Sequence, residues 1–161
     1  MKKIYLTKGK DALVDDDDYE RISKLHWQAN EYGIRGDFRA VSAIYKAGTP
    51  HKIIYMHRVI MGLEKGDKRT VDHIDHNGLN NQKANLRICS FRENCRNMRR
   101  HQDNTSMKKG VYRYFNKYLA RIWDGTRRKN LYLGSFNSVE EAHTAYCKAA
   151  RKLFGTFACP D

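Results

Sequence analysis

The sequence of 161 residues predicts an α+β protein built from several small sheets. Three observations support this prediction. Short runs of β-branched and aromatic residues are broken throughout by Gly, Asp or Pro, which is typical of short strands. A strand–loop–strand–helix pattern occupies the middle of the chain. Three more strands and one amphipathic helix end it, which predicts a three-stranded antiparallel sheet with a packed helix.

Residues 1–56 are predicted to form a small β-rich region with one short helix. Strands are expected at residues 4–6, 12–14, 38–41 and 53–56. The acidic run at residues 15–18 favours a helix start, because negative charge is stabilising at the positive end of the helix dipole. A metal site is the weaker alternative, since adjacent carboxylates cannot all face one ion.

The middle region, residues 57–100, contains the pattern with the most chemical content. Thr70–His73 and Leu86–Cys89 are predicted strands, joined by a polar loop that contains a glycine and three asparagines. Ser90 followed by Glu93 is a capping-box signature, so a helix is expected to begin near residue 91.

Four side chains in this region have the chemistry and spacing of a hydrolytic site. Asp72 and Asn94 offer oxygen ligands to a hard divalent cation such as Mg²⁺. His73 can accept a proton from water near neutral pH. Eleven residues separate His73 from Asn85, and eight separate Asn85 from Asn94. Each residue alone is ordinary as a turn carboxylate, core histidine or surface amide, but the spaced set is informative.

This set resembles the HNH (His-Asn-His, ββα-metal) endonuclease motif. The resemblance implies hydrolysis of a phosphodiester bond, with Mg²⁺ or Mn²⁺ held by Asp72 and Asn94. It implies His73 as the general base, oriented by a hydrogen bond to a backbone carbonyl, and Asn85 as the residue that ties the loop across the hairpin. Asn97, one turn beyond Asn94, is the alternative ligand.

The cysteines argue against a structural zinc ion. Cys89, Cys95, Cys147 and Cys159 form no C-x-x-C pair, so free and mostly buried or half-buried thiols in a reducing compartment are expected. No apolar run approaches membrane-spanning length. A cytoplasmic protein with no membrane partner is therefore expected.

The charge distribution predicts a polyanionic partner. Lys and Arg number 31 against 18 Asp and Glu, a formal charge of +13, and residues 83–129 hold fourteen basic and three acidic residues. Such a block favours double-stranded DNA, because each neutralised phosphate releases counterions. From charge alone, a solvated basic surface remains the alternative. Phosphate contacts are expected from four arginines near the helix predicted to begin at residue 91: Arg92, Arg96, Arg99 and Arg100.

A polar linker is predicted at residues 101–109, followed by a C-terminal domain at residues 110–161. Strands are expected at 110–114, 118–123 and 130–134, with turns at 116–117 and 124–126. Ser138 should cap a helix over residues 139–153 that Gly155 ends. Small apolar residues form a stripe on this helix that suits close packing on a sheet: Ala142, Ala145, Tyr146, Ala149 and Leu153.

A helix behind a three-stranded sheet leaves the other face of the sheet open. That face is expected to carry candidate DNA contacts: Arg113, Arg121, Trp123, Arg127, Arg128 and Tyr132. For Trp123 and Tyr132, a place in the core is an equal alternative.

Residues 110 to about 157 resemble the Apetala-2 type DNA-binding domain of plant ethylene-response factors, through Gly-Val-Tyr, Leu-Gly-Ser-Phe and Glu-Glu-Ala-His-Thr-Ala-Tyr. Tyr112 departs from the plant pattern, which has arginine there.

End to end, the sequence is similar to bacteriophage homing-type HNH endonucleases with a C-terminal Apetala-2 domain. The resemblance implies a nicking or double-strand-cutting enzyme whose sequence preference comes from the C-terminal domain. The resemblance also implies that this enzyme acts as a monomer or weak homodimer in the bacterial host cytoplasm. A catalytically silent DNA-binding regulator and a non-specific nuclease are the alternatives.

Overall fold

The computed structural model describes residues 1–33, 36–44, 52–100 and 103–159, and within these ranges the strands form four small antiparallel sheets. The chain divides into two compact units, Met1–Phe91 and Arg92–Asp161. Each unit contains its own buried apolar residues. The mixed α and β character agrees with the predicted α+β class.

The first unit contains a two-stranded sheet and a three-stranded sheet ahead of the central hairpin. Strands β1 (Lys2–Tyr5) and β2 (Asp11–Val14) pair with each other, and β3 (Gln28–Tyr32), β4 (Asp37–Ile44) and β5 (Lys52–Tyr55) pair in that order. Strand β3 was not predicted. Its sequence is mostly polar and only Ala29 is buried, so backbone pairing with β4 defines it and side-chain pattern does not.

Two short helices complete the N-terminal part of this unit. Helix α1 (Asp16–Ile22) begins at the acidic run, as predicted. Helix α2 (Met56–Ile60) was not predicted as a helix, and it takes Met56 from the expected fourth strand. One core joins the helices and strands of this unit, and it consists of Ile4, Ala12, Val14, Ile22, Trp27, Ala40, Met56, Ile60, Leu63, Val71 and Leu86.

The central hairpin matches the predicted strand bounds. Strand β6 (Thr70–His73) pairs antiparallel with β7 (Leu86–Cys89), with Asp72 opposite Arg87. Helix α3 (Phe91–Asn97) begins at the predicted residue, so strand, strand and helix follow one another along the chain.

The second unit is a three-stranded sheet with one long helix against it. Strands β8 (Val111–Tyr114), β9 (Lys117–Asp124) and β10 (Lys129–Phe136) pair in the order β10-β9-β8, and α4 (Val139–Phe154) follows. The buried side chains on the helix side are Val111, Ala120, Ile122, Ala142, Tyr146 and Ala150. Three strands and the helix were therefore predicted correctly.

Local backbone requirements set the limits of these elements. The Ser138 hydroxyl accepts a hydrogen bond from the Glu141 amide at 3.2 Å, and Gly155 ends α4 with a φ of 56°. Gly110 has a φ of 72°, and a Cβ there would lie 2.0 Å from the Tyr146 ring, so only glycine fits. The β8–β9 turn is Phe115–Asn116, one residue earlier than predicted.

The described part of the predicted linker is an ordered turn. Ser106 Oγ lies 2.6 Å from Asn104 Oδ1 and 2.8 Å from the Val111 carbonyl oxygen at the start of β8. Residues 101 and 102 of that linker lie outside the described residues. Across the described ranges, no helix is long and apolar enough to cross a membrane.

Candidate active site

Asp72 is a buried carboxylate paired with an arginine on the neighbouring strand. The Arg87 Nη2 and Nε atoms donate to Asp72 Oδ2 at 2.6 and 2.8 Å. The Arg87 side chain is 15% exposed and the Asp72 side chain 7%, so little solvent screens the ion pair. Because β6 and β7 place the two residues directly opposite each other, the hairpin register creates this pair.

His73 is a buried imidazole held between a side-chain amide and a second histidine. Its Nε2 lies 3.4 Å from Asn81 Oδ1, and its ring packs edge-on against His57 with ring centres 5.0 Å apart. Burial lowers the pKa of His73 and outweighs the hydrogen bond to Asn81 Oδ1, which raises it. The ring is therefore neutral near pH 7 and able to accept a proton.

His57 cannot be a cation at neutral pH. Burial is the main reason why the pKa of His57 is lowered to about 3, and repulsion from Arg39 and from His73 in its protonated form adds to it. The imidazole stacks on Tyr55, with ring centres 5.6 Å apart. Arg39 itself lies 3.6 Å above the Tyr32 ring, which fixes a positive charge on β4.

Asn85 and Asp75 close the loop between β6 and β7. Asn85 Nδ2 donates to Asp75 Oδ1 at 2.9 Å and to the Asn80 carbonyl at 2.8 Å, while Asn85 Oδ1 accepts from the Asp75 amide at 3.0 Å. Burial alone would raise the pKa of Asp75, but hydrogen bonds from Asn77, Asn80 and Asn85 outweigh it and hold the pKa below its usual value. The loop is thus tied by a charged acceptor rather than by apolar packing.

The loop also lies close against β4. A Cβ at Gly78 would lie 2.4 Å from the Phe38 carbonyl oxygen and 3.1 Å from Arg39 Cγ. The glycine therefore permits the loop to approach the backbone of β4.

The N-terminal acidic run binds this loop. Asp15 Oδ2 accepts from the Lys83 amide at 2.8 Å and Oδ1 accepts from Gln82 Nε2 at 3.2 Å, whereas Asp15 makes no side-chain cap hydrogen bond to α1. The Asp18 carboxylate forms two ion pairs, one between Oδ2 and Lys83 Nζ at 2.8 Å and one between Oδ1 and Arg21 Nη2 at 2.7 Å. The predicted helix start is correct, but sequence reasoning missed the contacts of Asp15 with Gln82 and Lys83, because those partners lie more than sixty residues away along the chain.

The candidate metal ligands differ in their surroundings. Asp72 is buried on β6, Asn94 is half-buried on α3, and Asn97, the alternative ligand, is buried at the end of that helix. No group of three or more His, Cys, Asp or Glu side chains suited to a metal occurs within the described ranges. A carboxylate with a side-chain amide supplies the hard oxygen donors that suit Mg²⁺, which keeps several waters as further ligands.

No disulfide bond joins the four cysteines within the described ranges. As expected, most of them are buried or half-buried: Cys89 and Cys159 are buried and Cys147 is half-buried, whereas Cys95 is exposed.

Among the four predicted phosphate-contacting arginines, Arg96 has a defined intramolecular neighbour. Its guanidinium carbon lies 4.9 Å from the centre of the Phe154 ring, and Lys109 Nζ donates to its carbonyl at 3.0 Å. Arg92 is exposed, and Arg99 and Arg100 are half-buried.

The open face of the β8–β9–β10 sheet carries exposed aromatic side chains. Trp123 and Tyr132 are both more than half exposed, so neither belongs to the core. Arg121 lies directly opposite Tyr132 in the register, as strand alternation predicts. Tyr112 and Tyr114, which sequence reasoning did not place there, share this face and are also more than half exposed.

One predicted face residue lies on the other side of the sheet. Arg113 alternates with Tyr112 and pairs with Tyr118, which packs against the helix-side core. Its expected place on the open face was wrong because the strand period of two puts it on the side of buried Val111.

The β9–β10 turn is built around a buried carboxylate. Asp124 Oδ1 accepts from the Thr126 and Arg127 amides at 2.9 and 3.2 Å. The amide of Arg127 is the main reason why the pKa of Asp124 is lowered. Arg127 Nη1 lies 3.3 Å from Asp124 Oδ2, and Arg128 has a φ of 53°. Both arginines are therefore exposed on a turn whose shape these hydrogen bonds define.

The pairing of Asp72 predicts the effect of removing its partner. Arg87→Ala takes the guanidinium away from a buried carboxylate and should lower the free energy of unfolding by about 3–5 kcal/mol in urea denaturation. Arg69→Ala, which breaks the exposed Arg69–Asp67 pair, is the matched control and should change stability little. Equal losses in the two variants would contradict this description of Asp72.

The depressed pKa of His57 predicts an acid sensitivity. Between pH 6.5 and about 3, the unfolded chain binds a proton at His57 that the folded chain does not. Stability should therefore fall as the pH falls below 6.5, by about 1.4 kcal/mol per pH unit from this group. His57→Gln should remove that slope in urea titrations between pH 6.5 and about 5. An unchanged slope would show that His57 is not buried as a neutral ring.

Comparisons with known proteins identify the family. A family model described as HNH endonuclease matches residues 54–96, which contain β6, the loop, β7 and most of α3. The chain is 33% identical over 156 residues to an uncharacterised HNH endonuclease of Acanthamoeba polyphaga mimivirus, covering 96% of this chain and 76% of that protein. It is also 39% identical over 77 residues to the dehydration-responsive element-binding protein 2D of Arabidopsis thaliana, covering 47% of this chain and 37% of that protein. With its buried Asp72–His73 pair on a closed hairpin, the chain belongs to the HNH endonuclease family.

Proposed function

We propose that this nuclease is a metal-dependent DNA endonuclease that hydrolyses phosphodiester bonds at preferred sequences. The observation that carries the proposal is the neutral, buried imidazole of His73 beside the Asp72 carboxylate, at the end of a hairpin whose loop is closed by Asn85. Consecutive residues at the end of β6 thus supply a base for water and an oxygen ligand for a metal.

In this proposal His73 accepts the proton of the attacking water, and its neutral state at pH 7 is set by burial. Asp72 and Asn94 are the residues that would hold Mg²⁺ or Mn²⁺, and an ion bound there supplies stabilisation for the charge on the leaving oxygen. Arg87 orients Asp72 through two hydrogen bonds to Oδ2. Asn85 holds the loop in place and touches no reacting atom.

We infer that residues 57–100 form the nuclease region and that residues 110–161 form a DNA-binding domain of Apetala-2 type. Residues 101–109 are the linker between the two. The open sheet face supports this division, because Arg121, Trp123 and Tyr132 are exposed together there and the Arg127–Arg128 turn adds positive charge. The partial likeness to an Arabidopsis protein named for binding a DNA element supports it as well.

Phosphate contacts along α3 and base contacts on the sheet have different tasks. We propose that Arg92, Arg96, Arg99 and Arg100 hold the duplex without regard to sequence, as phosphate contacts do. Arg113 lies on the helix side of the sheet, and no base contact is proposed for it. The protein is proposed to act as a monomer or weak homodimer, in the cytoplasm, on DNA such as that of a phage-infected bacterium.

His73→Ala should lower the rate of plasmid cutting by about 10²–10⁴, because the positioned base is lost while the basic surface remains. Relaxation of supercoiled plasmid in Mg²⁺ measures the rate, and a gel-shift assay measures binding, which should change little. His26→Ala, at an exposed histidine, is the matched control and should cut like wild type. Full activity in His73→Ala, or wild-type cutting in excess chelator, would overturn the proposed function.

Asp72→Ala and Asn94→Ala should each raise the Mg²⁺ concentration needed for half-maximal cutting, because each removes one oxygen ligand. Asn97→Ala separates the two candidate ligands on α3. If Asn97→Ala raises the Mg²⁺ concentration for half-maximal cutting and Asn94→Ala does not, the metal ligand on α3 is Asn97 rather than Asn94. Stoichiometric zinc in protein purified without added metal would contradict the choice of a hard cation.

Arg121→Ala should lower the preference for the best cleavage site over random sequence by about 1–3 kcal/mol, the value of one good base contact. Cutting of random sequence should stay near the wild-type rate, because phosphate contacts remain. Lys148→Ala, an exposed cation on α4, is the matched control. Cleavage maps of the three proteins on one genome give the result, and an unchanged site ranking in Arg121→Ala would remove the sheet face from recognition.

A further inference from the structure

Asn81 is a polar side chain in the β6–β7 loop that is only 1% exposed. Its Oδ1 lies 3.4 Å from His73 Nε2, and its Nδ2 has no hydrogen-bond partner within the described ranges. Leaving a buried amide donor unsatisfied is unfavourable, whereas an apolar side chain of similar size would avoid that cost. The hydrogen bond between Asn81 Oδ1 and His73 therefore has to offset the cost of the unsatisfied Nδ2 atom.

The edge of β2 fixes the backbone on both sides of Asn81. The Asn81 amide donates to the Leu13 carbonyl at 2.8 Å, and the Leu13 amide donates to the Leu79 carbonyl at 2.8 Å. Leu13 and Asn80 thereby form an isolated parallel bridge. Asp15, two residues after Leu13, accepts from the Lys83 amide two residues after Asn81. Three backbone-directed hydrogen bonds thus hold the loop to a strand of the N-terminal region.

The position of Asn81 Oδ1 selects one protonation pattern for the His73 ring. An amide oxygen only accepts hydrogen bonds, so Nε2 must carry the hydrogen and Nδ1 must carry the lone pair of the neutral ring. The edge-on His57 ring occupies one side of His73 and opposes its rotation. The base atom is thereby set before substrate arrives.

We propose that Asn81 is the positioning residue of the general base, holding His73 as the Nε2–H tautomer so that Nδ1 accepts the proton of the attacking water. Residues 11–15 then have a defined role, because they hold Asn81 in register with His73. This inference rests on the proposed function of His73 as base. It replaces the expected backbone carbonyl with a side-chain amide as the named partner of the ring.

The direct test is nitrogen NMR of protein labelled with ¹⁵N-histidine, at a pH where His73 is neutral. His73→Ala identifies the His73 signals by their loss. The proposal predicts a pyrrole-like Nε2 and a pyridine-like Nδ1 in the wild type. A protonated Nδ1 in the wild type overturns it, because the Asn81 amide would then present Nδ2 to the ring. This result does not depend on cleavage, so it stands apart from the test of the proposed function.

Two variants of Asn81 test its role in the reaction. Asn81→Ala should give a mixture of tautomers and a roughly 10–100-fold lower kcat with little change in KM for DNA, since loss of alignment rather than of binding is at stake. Asn81→Asp keeps an acceptor oxygen and should retain the Nε2–H tautomer and more of the rate. Asn30→Ala, at an exposed asparagine on β3, is the matched control.

A combination with His73→Ala separates positioning from general structural damage. Asn81→Ala should lower the residual cutting of His73→Ala no further, because Asn81 acts through the ring that is already gone. An additional loss of equal size in that background would overturn the proposal. An unchanged tautomer in Asn81→Ala would do the same, whatever its activity.

Discussion

Closure of the β6–β7 loop by hydrogen bonds between polar side chains is the constraint on which the rest of the site depends. The loop between His73 and Leu86 is polar, so it cannot be held by burying apolar surface. Asp75 and Asn85 hold it instead. The Asp75 carboxylate accepts a hydrogen bond from the Asn85 side-chain amide, which also donates to the Asn80 carbonyl and accepts from the Asp75 backbone amide. Charge-assisted bonds of this kind are stronger than neutral ones, and the lowered pKa of Asp75 reflects them.

The hairpin also depends on the N-terminal region. An isolated two-stranded hairpin is marginally stable in water, and β6–β7 has only four residues in each strand. Val71 and Leu86 enter the same core as Ile22 and Met56, which supplies the missing burial. His73 shares the Val71 face of β6, so the stability of the hairpin and the burial of the imidazole have one cause. Burial shifts the imidazole toward its neutral form and makes the Arg87 partner of Asp72 necessary.

The sequence was most informative where local rules decide the structure. The bounds of β6 and β7 and the start of α3 follow from strand composition and helix-start signals within a few residues of one another. It was least informative where partners are distant in the chain. The Asp15–Lys83 contact and the Leu13–Asn81 bond join residues more than sixty positions apart, and no local pattern marks them. Strand β3 was missed because edge pairing defines it.

Two features of the site show the same division. Strand alternation placed Arg121 on the open face correctly, yet the strand that contains Arg113 was assigned the wrong phase, since Val111 rather than Tyr112 faces the helix. Whether Trp123 and Tyr132 are buried or exposed was undecided from the sequence, because aromatic residues suit both a core and a DNA-contacting face. In the structure both are exposed.

Amide hydrogen exchange in Asn85→Ala tests most directly whether loop closure controls the site. The account predicts that protection falls not only at Asp75, which loses its acceptor, but also at Asn81 and Leu13, whose bonds depend on the position of the loop. Amides of β9, in the second unit, serve as the internal reference and should keep their protection. Loss of protection at Asp75 alone, with Asn81 and Leu13 exchanging as in the wild type, would contradict the claim that Asn85 holds the loop together.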